Sequence, residues 1–214
     1  MLVDSRRVVE RVWHLWAREH GLDPDAFLAI AHGRRTSETL RLLAPALDWR
    51  VEVAALDRME ESETDGLTAA PAAADLLGRL PPTAWAVVTS GSCAVARLRL
   101  DAARLPIPRI LITGNDVERG KPDPQGYRLA AARLDVAPDD CVVVEDAPPG
   151  VAAAQAAGMR VVAVLTTHAA DRLHAADARI AGLDALGVVT RHGALQLELE
   201  TVAGPPAGRH TPQP

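Results

Sequence analysis

The first seventy residues carry apolar side chains at helical spacing. The clearest set recurs at i, i+3, i+4 and i+7, which places it on one face of a helix: Val9, Val12, Trp13 and Trp16. Two more helical stretches follow at 37–47 and 51–59, with Thr36 as a candidate cap of the first. The tryptophan stripe suits either a ligand face or the core of a small helical bundle, and core packing is the preferred interpretation.

From Pro71 onward the pattern changes to short apolar runs that alternate with amphipathic segments. The runs lie at 84–89, 109–113, 141–146 and 160–165, and they are apolar on both faces. Such strands are typical of a parallel sheet with helices on both sides. The sequence therefore predicts an α/β fold, a three-layer Rossmann-like parallel sheet core over residues 71–190, with a helical domain at 5–70.

Composition and charge narrow the function classes. The formal net charge is −5 and no basic patch stands out, so we expect no nucleic-acid partner. No apolar run is long enough to span a membrane, and we expect a cytoplasmic protein with no membrane partner. The two cysteines, Cys93 and Cys141, are predicted to be reduced, buried thiols. Residues 203–214 are rich in proline and glycine and predict a disordered tail.

One of the predicted strands and one loop carry polar residues that suit a phosphate. The run at 84–89 leads into Thr89-Ser90-Gly91-Ser92, where hydroxyls and free N–H groups at a helix start could cradle a phosphate or merely cap the helix. Lys121 lies in Gly-Lys-Pro-Asp-Pro, a stiff loop that could hold one positive charge against a phosphate or form a solvated turn.

The third strand ends in two adjacent carboxylates, Glu145 and Asp146. Burying both is costly unless a cation offsets their charge, and Mg²⁺ prefers oxygen ligands of this kind. The alternative is that Asp146 caps the next helix. Because the carboxyl ends of parallel strands meet at one edge of a sheet, we expect a hydroxyl, a lysine and an acid pair to converge in one crevice.

The stretches VVTSGS, RGKPDP and VVVEDAPPGV resemble the haloacid dehalogenase superfamily of phosphatases. The closest likeness is to its sugar-phosphatase branch, in which a helical cap is inserted after the first strand, and it covers about residues 1–190. The stretches AHGRRTSETLRLLAP and ETDGLTAAPAAADLLGRLP also look like that branch.

The resemblance implies hydrolysis of small sugar or polyol phosphates through an aspartyl-phosphate. It implies that Thr89 and the Ser90 backbone bind phosphate oxygens, and that Lys121 neutralises the phosphoryl group. It also implies that Asp146, helped by Glu145, holds Mg²⁺. From the cap, three residues would face the substrate: His32, Gly33 and Arg34. Arg34 could equally be a solvated surface arginine.

The family's attacking aspartate is not matched in this chain. Members begin with an apolar strand followed by Asp-x-Asp-Gly, and Met1-Leu2-Val3-Asp4-Ser5 resembles only the end of that pattern. The implied strand lies between the strands that end at Thr89 and Glu145. Without it we expect the chain to be inactive and poorly stable, or to recruit another strand. Asp4 lies past the loop and is not expected to be the nucleophile.

Three explanations remain open for this difference. The start can be misplaced by about 10 to 20 residues, the gene can be truncated and decaying, or the protein can have lost catalysis while still binding phosphorylated ligands. Two functional alternatives stay beside the phosphatase: a phosphosugar mutase like β-phosphoglucomutase, and a non-catalytic sugar-phosphate binding protein. The oligomeric state is not predicted.

Overall fold

The computed structural model describes residues 1–191 and 194–202. After a two-residue strand β1 (Val3–Asp4), four helices follow, and a second short strand β2 (Thr68–Ala69) pairs antiparallel with β1. The helices are α1 (Arg6–Glu19), α2 (Pro24–Ala31), α3 (Thr36–Leu43) and α4 (Trp49–Ser62). They lie within residues 5–70, for which a helical domain is predicted.

The predicted apolar stripe of α1 forms the centre of the cap. Trp13 and Trp16 are 3% and 1% exposed, and both contact Phe27 of α2 at centroid distances of 5.3 and 5.2 Å. The Trp16 indole N–H donates to Glu52 of α4 at 2.7 Å, so its polar atom is satisfied inside the bundle. Core packing, and not a ligand face, is therefore the function of the stripe.

Two helix starts differ from the sequence prediction. Helix α2 is not among the predicted helical stretches; it begins at Pro24, where the Asp23 side chain accepts from the Asp25 amide at 3.0 Å. Proline suits the first helical turn because the N–H it lacks would have no partner there. Thr36 is the first residue of α3 and not its cap, and Arg35 occupies the cap position.

The remaining chain alternates helices with short strands. The elements are α5 (Ala73–Arg79), β3 (Val87–Val88), α6 (Cys93–Ala102), β4 (Leu111–Ile112), α7 (Gln125–Leu134), β5 (Val142–Glu145), α8 (Pro148–Ala156), β6 (Arg160–Val164), β7 (Ala178–Ile180), β8 (Leu186–Arg191) and β9 (Ala194–Leu199). Short 3₁₀ turns lie at Pro138–Asp140 and Leu183–Ala185. The antiparallel hairpin β8–β9 completes the described chain.

The strands of the core are parallel, as predicted. β3 pairs with β4, and β5, β6 and β7 form a second parallel set in that order. β6 is almost fully buried, as expected for a strand covered on both faces. The fold is therefore a Rossmann-like α/β core with a helical cap.

The two parallel sheets are not joined to each other. Within residues 1–191 and 194–202, β3 pairs only with β4 and β5 pairs only with β6, and no strand lies between β3 and β5. Val88 of β3 and Val142 and Val144 of β5 are only half-buried. The expected break in the sheet is thus present, and the described chain recruits no other strand to fill it.

Three further predictions concern the cysteines, membrane-spanning helices and the C-terminal tail. Both cysteines are free, but Cys93 is exposed at the start of α6, so the prediction that both are buried is wrong. In the described part of the chain, none of the helices has the length and apolar character to cross a membrane. The predicted tail at 203–214 lies outside the described residues.

The register of α3 gives a test of the cap packing. Leu40 is fully buried, whereas Leu42, two residues along the same helix, is 62% exposed. We expect Leu40→Ala to lower the free energy of unfolding by about 2–5 kcal/mol, because it leaves a cavity in the cap core. Leu42→Ala should change it by less than about 0.5 kcal/mol. Urea unfolding of both variants measures the difference, and equal effects would contradict the register.

Candidate active site

The turn after β3 uses its hydroxyls locally. Ser92 caps α6 by accepting from the Val95 amide at 3.4 Å, as the helix-cap interpretation of this turn predicts. Thr89 accepts from the Gly91 amide at 3.2 Å, and Ser90 donates to the Gly33 carbonyl of the cap at 2.8 Å. The predicted phosphate residues Thr89 and Ser90 therefore lie at the cap–core boundary, where the Ser90 hydroxyl binds the cap.

Lys121 reaches across the break between the two sheets. Its ammonium donates to the carbonyl of Val88 in β3 at 3.2 Å and forms an ion pair with Glu145 at the end of β5. The nitrogen also lies 5.1 Å from the centre of the Tyr127 ring, and the lysine side chain is only 11% exposed. One positive charge is thus fixed beside Thr89, at the carboxyl ends of both sheets.

The Glu145 carboxylate is surrounded by donors. One oxygen accepts from Lys121 and from the Tyr127 hydroxyl at 2.8 Å, and the other accepts from the amides of Asp146 and Ala147 at 2.9 and 3.1 Å. Burial, followed by the charge of Glu145, raises the pKa of Tyr127 well above its usual value, so the phenol stays a donor. In this arrangement Glu145 holds Lys121 in place.

Asp146 has hydrogen-bond and ion-pair partners that differ from those of Glu145. Its carboxylate accepts from the Thr167 hydroxyl at 2.7 Å and lies 3.3 Å from the Met1 amino group. Burial opposes its ionisation, but the Met1 amino group and the Thr167 hydroxyl outweigh burial and lower its pKa. A ring nitrogen of His168 lies 2.9 Å from the Asp146 carbonyl.

The donor set partly fits a magnesium ion. Among the described residues, no three His, Cys, Asp or Glu side chains converge closely enough to hold a metal. Asp146 nevertheless offers one ionised carboxylate, and Mg²⁺ in phosphate sites is often held by one or two carboxylates together with water and substrate oxygens. Glu145 can contribute only if its donors release it, so a role as metal ligand remains a prediction for both residues.

The predicted cap residues lie directly over these strand ends. The carbonyl of Gly33 accepts the hydrogen bond from Ser90. A Cβ atom added at Gly33 would lie 2.9 Å from the Ala147 methyl carbon, so the cap loop also touches the turn after β5. His32 is half-buried, and burial, followed by the neighbouring His168, lowers its pKa. Arg34 is half-buried, and none of the described acids lies within ion-pair distance of it.

The cavity beside Thr89 and Lys121 is small. It has a volume of about 10 Å³ and is lined by Arg35 of the cap and by core residues, among them Thr89, Ser90, Lys121 and Tyr127. This is room for about one water molecule. A sugar phosphate is larger than this cavity, so it does not fit beside Thr89 and Lys121 with Arg35 in this position.

Sequence reasoning missed two residues of this site. Tyr127 is absent from the predicted site residues, yet its hydroxyl donates to Glu145. Arg35 was not considered, although its guanidinium contacts backbone carbonyls of the core. The single available signal for Arg35 is Glu38, three residues later on the same helix face.

Comparison with known proteins adds independent information. The family model for haloacid dehalogenase-like hydrolases matches residues 2–158. Hexitol phosphatase A of Escherichia coli (strain K12) is 44% identical over 192 residues, which cover 87% of this chain and 89% of that protein. 2-Deoxyglucose-6-phosphate phosphatase 2 of Saccharomyces cerevisiae is 33% identical over 189 residues, with coverages of 78% and 77%.

A solved structure supports the fold. The crystal structure of a hydrolase from Pseudomonas syringae superimposes with a TM-score of 0.75 at 24% sequence identity, and the match covers 84% of this chain and 87% of that one. At this identity the likeness establishes the shared architecture of core and cap.

The contact between α8 and Glu145 gives a sharp test of the site. A Cβ atom at Gly150 would lie 2.0 Å from a Glu145 carboxylate oxygen, whereas one at Gly78 of α5 would meet no atom within 4 Å. We expect Gly150→Ala to lower the free energy of unfolding by about 1–3 kcal/mol, because it pushes the carboxylate off its donors. Gly78→Ala should be neutral or stabilising by up to about 1 kcal/mol. A neutral Gly150→Ala in urea unfolding would contradict this packing.

The single tyrosine allows its ionisation to be followed directly. Because Tyr127 has a raised pKa, the folded chain keeps a proton that the unfolded chain loses near pH ~10. Its contribution to stability is therefore complete below the unfolded pKa and is lost as the pH rises from there through the folded pKa. An ultraviolet titration should show no tyrosinate near that pH in the folded chain and ordinary ionisation in urea. Ionisation near the usual pKa in both states would contradict the buried contact.

Proposed function

The chain belongs to the haloacid dehalogenase-like hydrolases, and we propose that it forms the core and cap of a magnesium-dependent phosphatase for small sugar or polyol phosphates. The observation that carries the proposal is the position of Lys121, one nearly buried positive charge beside Thr89 at the carboxyl ends of the strands. The substrate class rests on the named activities of the two relatives, a hexitol phosphatase and a 2-deoxyglucose-6-phosphate phosphatase.

We propose a distinct role for each residue around the phosphate. The Thr89 hydroxyl and the Ser90 N–H would donate to phosphate oxygens, and the Lys121 ammonium would neutralise charge that develops on the phosphoryl group. Glu145 would orient Lys121 through their ion pair, supported by Tyr127. In phosphoryl transfer such positioning and charge stabilisation supply most of the catalysis.

Magnesium would bind at Asp146. When bound, the ion would supply further positive charge to the phosphate oxygens. The Thr167 hydroxyl, which donates to the Asp146 carboxylate, would keep that carboxylate oriented and ionised. The cap loop at His32, Gly33 and Arg34 would contact the sugar or polyol and exclude water when it closes.

We further propose that the attacking and proton-donating aspartates belong to a strand that would fill the break between β3 and β5. The half-buried valines at that break and the absence of a shared backbone ladder among the described residues support this placement. No Asp-x-Asp-Gly motif occurs in the 214 residues. On this proposal the 214-residue chain alone does not hydrolyse phosphate esters.

The test compares the chain with an extended version. The purified 214-residue chain should show no magnesium-dependent turnover of p-nitrophenyl phosphate. The same chain, extended at its N-terminus by an apolar strand that ends in Asp-x-Asp-Gly, should turn over hexitol phosphates, and chelation with EDTA should abolish this activity.

The matched control carries asparagine in place of the first aspartate of the extension. It should lose activity by a factor of about a thousand or more, because the carboxylate is the nucleophile. Turnover by the unextended chain would refute its proposed inactivity. A folded extended chain that binds hexitol phosphates without hydrolysing them would replace the phosphatase with a non-catalytic binding protein.

A further inference from the structure

Arg35 connects the cap to the core through backbone carbonyls. It precedes α3, and its guanidinium donates to the carbonyls of Val117 at 2.8 Å and Glu118 at 2.6 Å, with a longer contact of 3.5 Å to Gly114. These carbonyls lie 79–83 residues away in sequence, and the arginine side chain is only 12% exposed. The planar fork of five N–H donors makes such a set of simultaneous bonds possible.

Glu38 completes the connection. One of its carboxylate oxygens accepts from Arg35 at 2.6 and 3.0 Å and from the Gly120 amide at 2.9 Å. A Cβ at Gly120 would lie 2.8 Å from both the Arg35 and the Glu38 side chains, so only glycine permits this close approach. We call Arg35 and Glu38 together the cap latch.

The segment held by the latch joins both parts of the phosphate site. Residues 114–120 begin after β4 and lead directly into Lys121. Near the start of the segment, the Gly114 amide donates to the Gly91 carbonyl at 2.9 Å, and the Asn115 side chain accepts from the Cys93 amide at 2.8 Å. The same segment therefore supports the turn after Thr89 at one end and the lysine at the other.

The closed cavity gives the latch a dynamic consequence. A ligand larger than about one water molecule does not fit the cavity that Arg35 lines unless Arg35 moves, and Arg35 follows Gly33 and Arg34 in the cap loop. Opening the cap must therefore break the bonds from Arg35 and Glu38 to residues 114–120. Closing it restores four hydrogen bonds to that segment, each with a charged partner.

We propose that Arg35 and Glu38 are positioning residues that couple closure of the cap to the placement of the Lys121 ammonium. With the cap closed, the latch fixes residues 114–120 and holds the lysine against Glu145. With the cap open, the segment loosens and the ammonium gains freedom. The value of this coupling for phosphate binding rests on the proposed function, whereas the coupling itself does not.

The composition of the chain makes the proposal directly measurable. Lys121 is the one lysine in 214 residues, beside 22 arginines. Acylation with acetic anhydride at low conversion, read by peptide mass spectrometry, therefore reports the accessibility of a single side chain. Glu145→Gln serves as the positive control, because it removes the ion pair that holds the ammonium.

The decisive variants are Arg35→Gln and Glu38→Gln, and Arg41→Gln is the matched control. Arg41 lies on the same helix, is exposed, and stacks on Trp49 within the cap at 3.9 Å. We expect each latch variant to raise the acylation rate of Lys121 about tenfold, as the loss of a charged hydrogen bond implies. The control should change it by less than about twofold.

Hydrogen exchange separates a local latch from general destabilisation. The amides of residues 114–121, Gly120 above all, should exchange faster in both latch variants, while those of β6 keep their wild-type rates. Uniform acceleration over the whole chain, or an unchanged Lys121 rate, would overturn the proposal. If Arg35→Gln fails to fold, the isosteric Glu38→Gln decides alone.

Protection of Lys121 by inorganic phosphate distinguishes this inference from the proposed function. Inorganic phosphate should protect Lys121 of the unmodified chain from acylation, and it should protect less in the latch variants at the same concentration. An unmodified chain without phosphate protection would count against the phosphate site of the proposed function. In that case the acylation and exchange rates without phosphate still confirm or overturn the latch.

Discussion

The ion pair between Lys121 and Glu145 is the interaction on which the site depends. Two nearly buried charges are costly to remove from water, and they are tolerable only when their remaining hydrogen-bonding capacity is used. Here the Glu145 carboxylate also accepts from a phenol and two backbone amides, so both of its oxygens accept hydrogen bonds. These partners come from α7 and from the turn after β5, and α8 leaves room for them at Gly150.

The same pair compensates for the divided sheet. Between β3 and β5 no backbone ladder exists in the described chain, yet Lys121 binds a carbonyl of the first sheet and a carboxylate of the second. One long side chain thus contacts both sheets across the break.

The sequence predicted the parts of this structure that depend on local pattern. The α1 stripe, the alternation of strands and helices after Pro71, and the break in the sheet follow from periodicity and from resemblance to a family. The start of α2 was missed because a proline that begins a helix and one that ends it look alike without the cap geometry of Asp23. The prediction that Cys93 is buried was wrong. Composition alone assigns a free cysteine to the core, but Cys93 begins α6, and this helix start exposes its side chain.

The contacts of the site were harder to predict, for a different physical reason. Arg35 binds carbonyls, which every residue carries, so its distant partners leave no trace in the sequence. Glu145 is held by donors from Lys121, from Tyr127 and from the turn after β5, and the adjacent pair of acids does not reveal that its members bind different partners. Ser90 illustrates the same limit, since its hydroxyl meets a cap carbonyl 57 residues earlier.

The antiparallel pairing of β1 with β2 has a consequence for how such proteins diversify. The chain enters the helical cap at Asp4 and leaves it at Thr68, and these two residues are paired neighbours. A unit whose two ends meet can be exchanged for another without changing the path of the surrounding core. Recombination at two adjacent peptide positions would therefore give this core a new cap, and ligand choice could change while the machinery at the strand ends is inherited intact.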